Sequence, residues 1–490
     1  MQYLVRLFPE IIIKSKPVRA EMTRQLAGNL KKIFARYNCK VSVQTQWDNL
    51  RINFADESLE EQVIDILLHT PGISNFTRIQ EYVFTDMHDI YEKTAASWGN
   101  RLAGKTFVVR CKRVGKHEFS STDVSQYVGG GLNQNFDSAG VSLKHADQTI
   151  RIEVRNDKLF VIEDRHEGIG GFPLGSQDAV MSLISGGFDS AVSSYMTMAR
   201  GMKTHYLFFN LGGSDHELGV KEVAYYLWDK YGSSHKVKFI TINFEEVVEE
   251  ILSKVSNSQM GVILKRMFMR AASEAARIHK VEALVTGEAI AQVSSQTLTN
   301  LSIIDKVTDT LVLRPLITSN KGHIIDIARK IGTEDFSASI PEYCGVISVK
   351  PTTHARQHKI DEEESKFDFA VLERAIQNSK VSSIEKLADK KRNLEKDGPA
   401  VELLAELASN SIVVDIRHPD EEEISPLQIN NKILKIPFYK LHKESKNLDP
   451  EQHYLLYCAK GVMSHLHAQH LRDAGVNNID VFRPELEPKT

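Results

Sequence analysis

Four cysteines in 490 residues, none in a C-x-x-C pair, exclude a disulfide scaffold, a zinc ribbon and a cysteine-rich iron–sulfur ligand set. A cysteine that does chemistry here acts singly or with a distant partner. No apolar run approaches the roughly 18 to 20 residues of a membrane span. The start MQYLVRLFPE lacks the charged head and apolar stretch of a signal peptide. No membrane association is expected, and a cytoplasmic location is. The chain also lacks internal repeats, low-complexity tracts and a strong charge of either sign, its net charge being −3. One hydrophobic core rarely serves a chain this long, so three or four domains are expected.

The small net charge conceals an uneven distribution. From Asp397 onward the chain holds 15 acidic and 10 basic residues, which marks the tail as a separate unit. Residues 100 to 120 hold six cations, Arg101, Lys105, Arg110, Lys112, Arg113 and Lys116, against the single acid Glu118. Such a strip suits a polyanion such as RNA, or is an ordinary solvated face.

Residues 1 to about 60 alternate strand-like runs (Tyr3 to Phe8, Val41 to Val43, Leu50 to Phe54) with a helical pattern from Thr23 to Tyr37, as in a small α+β domain. A second α+β stretch follows, with helices at 60 to 69 and 88 to 98 and strands TFVVRCKR and TIRIEVRN. G-G-F-P-L-G at 170 to 175 reads as a linker. Thereafter strands at Ala179 to Ile184, His205 to Phe209, Val237 to Ile242 and Ala283 to Thr286 alternate with helices, at about 216 to 231 and 260 to 279 among them. That alternation predicts a parallel sheet covered on both faces, with ligands at the carboxyl ends of its strands. Polar residues 378 to 398 read as a helix or linker before a last α/β unit. Its strands are SIVVDIR and HYLLYC, and its helix runs from about 464 to 474.

G-N-R-L-A-G-K-T at 99 to 106 spells a nucleotide phosphate loop, G-x-x-x-x-G-K-[ST]. A working loop needs a strand before it and a helix after it, so that free amides and the positive helix end face the phosphates. Here the order is reversed, helix before and strand after, so no nucleotide site is expected. The correct order occurs at D-A-V-M-S-L-I-S-G-G-F-D-S-A-V-S-S-Y, 178 to 195. There a strand ends at Ile184, Ser185, Gly186 and Gly187 make a small-residue turn, and a helix follows from about Asp189. An ordinary capped helix start has the same local form. S-G-G-F-D-S also resembles the S-G-G-x-D-S loop of the ATP pyrophosphatases, which adenylate a carbonyl oxygen and release pyrophosphate. On that resemblance Ser185, Gly186, Gly187 and Ser190 cradle phosphate, Asp189 takes the metal or pyrophosphate, and Mg²⁺ accompanies the ATP.

Y-L-L-Y-C-A-K-G-V-M-S at 454 to 464 again sets a loop between strand and helix, with Cys458 over the helix start and Lys460 nearby. Both favour a thiolate or an anionic persulfide, although free cysteines are often only buried structural groups. A cysteine phosphatase loop needs Arg at position 464, which is Ser. C-x-x-G-x-x-S instead resembles the loop of rhodanese domains, whose cysteine carries a sulfane sulfur, and SIVVDIR-H-P-D-E resembles the entry of that fold. Cys344 lies in I-P-E-Y-C-G-V-I-S; read alone it is a loop residue. Cys39 and Cys111 fall in or near strand patterns and receive no role.

Together these segments resemble the bacterial tRNA 4-thiouridine synthases, or tRNA sulfurtransferases, in their long form with a fused rhodanese domain. F-V-V-R-C-K-R-V-G-K-H-E-F-S resembles the core of a THUMP domain, an RNA-binding module. L-I-S-G-G-F-D-S, P-E-Y-C-G-V-I-S and Y-C-A-K-G-V-M-S match the later family motifs. The resemblance implies an α/β multidomain chain: a ferredoxin-like α+β domain at 1–60, a THUMP domain at 61–165, a doubly wound PP-loop ATP pyrophosphatase domain at 170–396 and a rhodanese-like domain at 404–484. It further implies that a cysteine desulfurase loads Cys458 with sulfur, that ATP adenylates O4 of uridine 8 in tRNA, and that sulfur then displaces AMP. Cys344 is the implied resolving partner, forming a disulfide with Cys458. Leu183, Ile184, Lys265, Gly287 and Gln296 are implied at the nucleotide, with Lys321 stabilising the adenylation transition state. Lys105, Arg110, Lys112, Arg113 and Lys116 are the expected RNA contacts, and no resident metal site is assigned. Family members also supply sulfur for thiamine thiazole, so a thiamine sulfur-carrier protein is an expected second partner. Two other readings remain: another ATP pyrophosphatase, such as an amide-forming ligase or a 2-thiouridine enzyme, and a non-catalytic RNA-binding sulfur carrier.

Overall fold

The computed structural model describes the chain except residues 47–48, 212, 340–350, 387–402, 406, 409–410, 418–421, 423–425, 437–440, 442–443, 446, 459–463, 465–466, 469–470, 473–474 and 485–490. It divides into two compact units, Met1–Gln177 with Ala199–Gly201, and the remainder.

The first unit contains strands β1 (Gln2–Leu7), β2 (Ser42–Thr45), β3 (Asn49–Asn53), β4 (Ile73–Val83), β5 (Thr106–Val114), β6 (Gly140–Val141), β7 (Gln148–Arg155) and β8 (Lys158–Gly170). They form one eight-stranded sheet in the order β2-β3-β1-β4-β8-β7-β5-β6. Its helices are α1 (Pro9–Ile12), α2 (Lys16–Arg36), α3 (Glu60–His69), α4 (Met87–Trp98) and α5 (Ser121–Asn135). Two cores lie along this sheet. Leu26, Leu30, Phe34, Val63 and Leu67 pack on Val5, Ile52 and Phe76. Ile90, Trp98, Val128 and Leu132 pack on Phe107, Ile150 and Val161. One sheet spans strands from both sides of residue 60, because β4 pairs with β1 on one side and β8 on the other. Helix α2 begins well before the expected Thr23, since Pro17 suits the first turn of a helix.

Residues 170 to 175, expected to be a linker, are pinned instead. Phe172 and Leu174 are buried. The Leu174 carbonyl accepts from Gln25 Nε2 at 3.0 Å and Asn29 Nδ2 at 2.8 Å.

The second unit opens with a six-stranded sheet ordered β13-β12-β9-β10-β11-β14. Its strands are β9 (Gln177–Leu183), β10 (Met202–Asn210), β11 (Lys238–Asn243), β12 (Ala283–Val285), β13 (Leu311–Leu313) and β14 (Lys380–Ser383). The helices are α6 (Phe188–Ala199), α7 (Gly213–Leu227), α8 (Glu245–Lys254), α9 (Met260–His279), α10 (Leu298–Asp305), α11 (Lys321–Ile331), α12 (Glu334–Ser339), α13 (Gln357–Glu364) and α14 (Phe369–Gln377). Strand β14 corrects the expectation of a helix or linker at 378 to 398 over Lys380–Ser383; from residue 387 on, that stretch lies outside the described residues. The strand pairs antiparallel with β11 at the sheet edge, where polar residues are at home and apolar periodicity is weak. Five further strands, β15 (Leu403–Leu404), β16 (Ile412–Asp415), β17 (Ile433–Lys435), β18 (Tyr454–Tyr457) and β19 (Ile479–Phe482), form a parallel sheet in the order β15-β19-β18-β16-β17. Among the described residues no helix is long and apolar enough to cross a membrane.

Candidate active site

Strand order decides where the second unit can bind a ligand. From β9 the chain proceeds to β10 and β11 on one side, then returns to β12 on the other. The loops after β9 and β12 therefore part at a topological switch point, where a crevice opens at the strand ends. The loop after β9 is Ile184–Gly187, and α6 starts directly after it. Ser185 N–H donates to Ser190 Oγ at 3.2 Å, and the Ser190 hydroxyl donates to the Gly187 carbonyl at 2.9 Å, closing the turn. Gly186 has φ +83°, a left-handed conformation that favours glycine. Beyond Gly187 only Ser185 Oγ, at 3.7 Å, lies near the position a Cβ would take. Ser185 is exposed and there is room beside Gly187 at this helix start, the place where a helix accepts an anion. Leu183 and Ile184 behind the loop pack into the core.

Asp189, in the first turn of α6, is gripped from two other elements. Lys321 Nζ, at the start of α11, lies 3.0 and 3.3 Å from its two carboxylate oxygens, and Gln292 Nε2 donates at 2.8 Å. Gly287 closes the crevice from the β12 side. A Cβ there would lie 2.5 Å from Asp189 C and 2.7 Å from Ser190 N, so a side chain would displace the α6 start. Gly287→Ala is expected to weaken ATP use by the equivalent of about 1–3 kcal/mol, the usual effect of overpacking. The check is the KM for ATP in pyrophosphate release, and an unchanged KM would refute the tight approach.

Lys265 meets the same wall through Glu288, at 3.6 Å. Glu288 is 4% exposed, and Arg314 Nε (2.9 Å) and the Thr286 hydroxyl (3.0 Å) donate to it. Burial alone would raise its pKa, but Lys265 and Arg314 hold it below the ordinary carboxylate range. Gln296 is 8% exposed and its side-chain carbonyl oxygen accepts no hydrogen bond among the described residues. An orphaned acceptor here suits an N–H donor on a ligand.

His216, on the first turns of α7, is buried with its ring edge on Phe208, the centroids 4.8 Å apart, and hydrogen-bonds the Ser185 backbone. Burial holds its pKa down despite that bond.

Sequence reasoning missed Gln292, Glu288, Arg314 and His216. Only Glu288 carried a local signal, an acid directly after Gly287 at a strand end. Among the described residues no cluster of three or more His, Cys, Asp or Glu could hold a metal.

Cys458 follows β18 and is 7% exposed. Its sulfur accepts the Ser464 N–H at 3.3 Å, with the Ser464 hydroxyl at 3.4 Å, so a backbone donor faces the atom where negative charge would sit. Asp415 and Arg417, from V-D-I-R, form a buried pair at 2.6 Å beside the Tyr457 ring. Cys344 and Lys460 lie outside the described residues. Burial raises the thiol pKa of Cys39, and that of Cys111 to about 11, so neither favours a thiolate.

In the first unit, G-N-R-L-A-G-K-T joins α4 to β5, helix before strand, the reverse of a phosphate loop. Arg110 and Lys112 lie on the outer face of β5, with Lys105 and Lys116 exposed at its ends. Arg113 alternates to the other face and donates to the Gly115 carbonyl at 2.9 Å. Arg110 pairs in register with Arg151. Beyond it, Arg6, Asn75, Thr77, Thr149, Arg151, Ile162, Glu163 and Arg165 line a polar groove of about 310 Å³. These arginines come from strands distant in sequence, which hid the continuity.

The family model described as thiamine biosynthesis protein (ThiI) matches residues 175–369, the THUMP domain model residues 84–164, and the ThiI ferredoxin-like domain model residues 2–77. The tRNA sulfurtransferase of Saccharophagus degradans is 52% identical over 99% of this chain and 100% of its own length. That of Escherichia fergusonii is 51% identical over the same shares. Among solved structures, a 4-thiouridine synthetase–RNA complex with bound ATP matches with TM-score 0.69 and 26% identity, over 78% of this chain and 99% of that one.

Proposed function

The chain belongs to the tRNA sulfurtransferase family, and from that membership we propose that it makes 4-thiouridine at position 8 of tRNA at the expense of ATP. The observation that carries the reading is the Ser185–Ser190 turn closing directly onto the start of α6 at the switch point, with Asp189 held by Lys321 and Gln292.

In this mechanism the ATP phosphates lie on the loop amides and hydroxyls. Uridine O4 attacks the α-phosphorus, and pyrophosphate leaves toward the α6 start. The Lys321 ammonium and the α6 amides stabilise charge as it develops on the transferring group. Mg²⁺, when bound, supplies further neutralisation of the phosphates. Lys265 and the Gln296 carbonyl serve nucleotide binding, and the Glu288–Arg314 pair orients Lys265. Adenylation turns a poor leaving group into AMP. A persulfide on Cys458, loaded by a cysteine desulfurase, attacks C4 and AMP departs. Cys344 then resolves the sulfur, leaving a Cys344–Cys458 disulfide that an external thiol reduces. The folding pattern around Cys458 supports a rhodanese-like role, with the Ser464 amide stabilising the anionic sulfur. Sulfur supply to thiamine thiazole synthesis is a second role, favoured by the description of the matching family model.

The test incubates unmodified tRNA with ATP, cysteine, a desulfurase and the protein, followed by nucleoside mass spectrometry. Appearance of 4-thiouridine is expected; its absence would refute the reading.

We assign tRNA to the outer face of the first unit's sheet. Replacing Arg151 and Arg165 by Ala is expected to weaken tRNA binding and flatten its dependence on salt. Each lost phosphate contact should lower the slope of log K against log [salt] by about 0.7–0.9. Unchanged slopes in filter-binding titrations would place the RNA elsewhere.

A further inference from the structure

Among the buried ionisable groups that the proposed adenylation site leaves unused, Glu222 stands apart. Glu222, on α7, is 4% exposed, although α7 is the helix whose first turns carry His216 to the phosphate loop. Its near neighbours Val220, Val223, Ala224 and Leu227 are fully buried core residues. Among the described residues, neither Glu222 oxygen accepts a hydrogen bond. The charged group that approaches is His467, from the segment following Cys458, with Nε2 3.4 Å from Glu222 Oε1. This is an ionic contact without hydrogen-bond geometry. Burial pushes the Glu222 pKa well above the usual carboxylate range.

The other charged groups nearby are engaged elsewhere. On α7, Glu217 and Lys221 pair with each other at 2.6 Å. On the adjacent α12, Glu334 pairs with Arg329 at 2.8 Å. On the Cys458 side, Asp480 pairs with Arg472 at 2.6 Å and with His453 at 2.8 Å. Asp335 of α12, Asp229 and Lys230 beyond the end of α7, and Lys203 and His205 of β10 form no ion pair with Glu222 among the described residues.

A carboxylate buried without hydrogen bonds is a poor component of a permanent interface, where an apolar residue of the same size would serve better. It suits a surface that is sometimes uncovered. When the two sides part, Glu222 and His467 return to water at no penalty, whereas an apolar pair would leave a sticky patch. We propose that α7 at Glu222 is a releasable dock for the Cys458-bearing domain, closed by a Glu222–His467 pair that shares one proton. Six helical residues, about 9 Å along the axis, separate Glu222 from His216 and hence from the phosphate loop. The dock therefore holds the sulfur-bearing domain on the flank of the adenylation site and lets it go.

The proton count fixes the pH dependence. Docked, the pair is neutral overall and holds one proton. Undocked above about pH 6.5, the ordinary pKa of histidine, Glu222 is ionised and His467 is neutral, so the pair holds none. Docking then takes up one proton and weakens by up to tenfold per pH unit as pH rises. Between about pH 4.5 and 6.5 both states hold one proton, and the dock is insensitive to pH. Gln at position 222 needs no proton, so the dependence above pH 6.5 disappears.

The use of the dock rests on reading Cys458 as the sulfur carrier, but neither of the following measurements contains a sulfur-transfer step. A protein that docks without making 4-thiouridine would thus refute that reading and leave the dock standing. In the full-length chain, E222C/H467C is expected to form the 222–467 disulfide under mild oxidation at least tenfold faster than a control pair, E222C/E451C, as judged by the linked peptide in mass spectrometry. A rate no faster than the control would overturn the dock. Small-angle X-ray scattering of the unsubstituted protein should show the compact fraction falling between pH 6.5 and 8.5, and Glu222→Gln should show no such fall. Equal slopes in the two proteins, or no slope in the unsubstituted one, would overturn the shared proton.

Discussion

Asp189→Ala is expected to lower ATP-dependent pyrophosphate release by about 10²–10³-fold, the scale on which removing one preorganised electrostatic group acts. The position of the carboxylate explains the size of the effect. It stands in the first turn of α6, with the Lys321 ammonium 3.0 Å away and the Gln292 amide at 2.8 Å. On the proposed mechanism its loss removes the group that meets the metal or pyrophosphate, and it also frees Lys321 from a fixed orientation beside the Phe188 ring. The loop itself should persist, because Ser185, Ser190 and Gly187 close it without Asp189. An unchanged far-ultraviolet circular dichroism spectrum would confirm that the fold is retained. A loss of less than tenfold would make Asp189 a structural partner of Lys321 and remove it from the chemistry. The same measurement separates the rivals, since a pure sulfur carrier releases no pyrophosphate before or after the substitution.

Cys458→Ser is expected to reduce 4-thiouridine to background while leaving pyrophosphate release within about threefold, because the two chemistries occupy different sites. Serine fits the pocket: it is smaller than cysteine, and the Ser464 N–H at 3.3 Å still finds an acceptor. What is lost is the sulfur that, on the proposed mechanism, accepts a sulfane atom and passes it on. Undiminished 4-thiouridine in the nucleoside analysis would remove Cys458 from the transfer. Parallel loss of pyrophosphate release would instead mean that adenylation depends on the sulfur-bearing domain, a coupling that the α7 contact could transmit.

Much of the candidate site at the switch point was legible because its determinants are local. Strand, glycine turn and helix follow one another within 178 to 195, so the order that makes a phosphate loop can be read from the chain. The reversed order around G-N-R-L-A-G-K-T, helix α4 before and strand β5 after, is legible in the same way. Gln292 was illegible because nothing in its neighbourhood marks it. It matters only because the β12 loop returns beside α6, and that follows from the placement of β12 next to β9. Arg314 and Glu288 converge for the same reason. Strand β14 was missed because edge strands tolerate the polar residues by which linkers are recognised. The 170 to 175 segment was misread because its glycines suggest freedom, while Phe172 and Leu174 supply the apolar contacts that pin it.

By itself, then, the chain determined what depends on neighbours within a helix turn or a strand: the loop at Ser185 to Ser190, the strand-to-loop position of Cys458, the cations of β5, and the family these motifs resemble. Tertiary structure alone decided which distant groups meet. It joined the two N-terminal segments into one sheet, aligned Arg6, Arg151 and Arg165 beside Arg110, placed Lys321 and Gln292 on Asp189, and brought His467 to Glu222. Short-range periodicity encodes local conformation, but strand order arises from packing a whole core. Contacts across the sheet therefore have no local trace in the sequence.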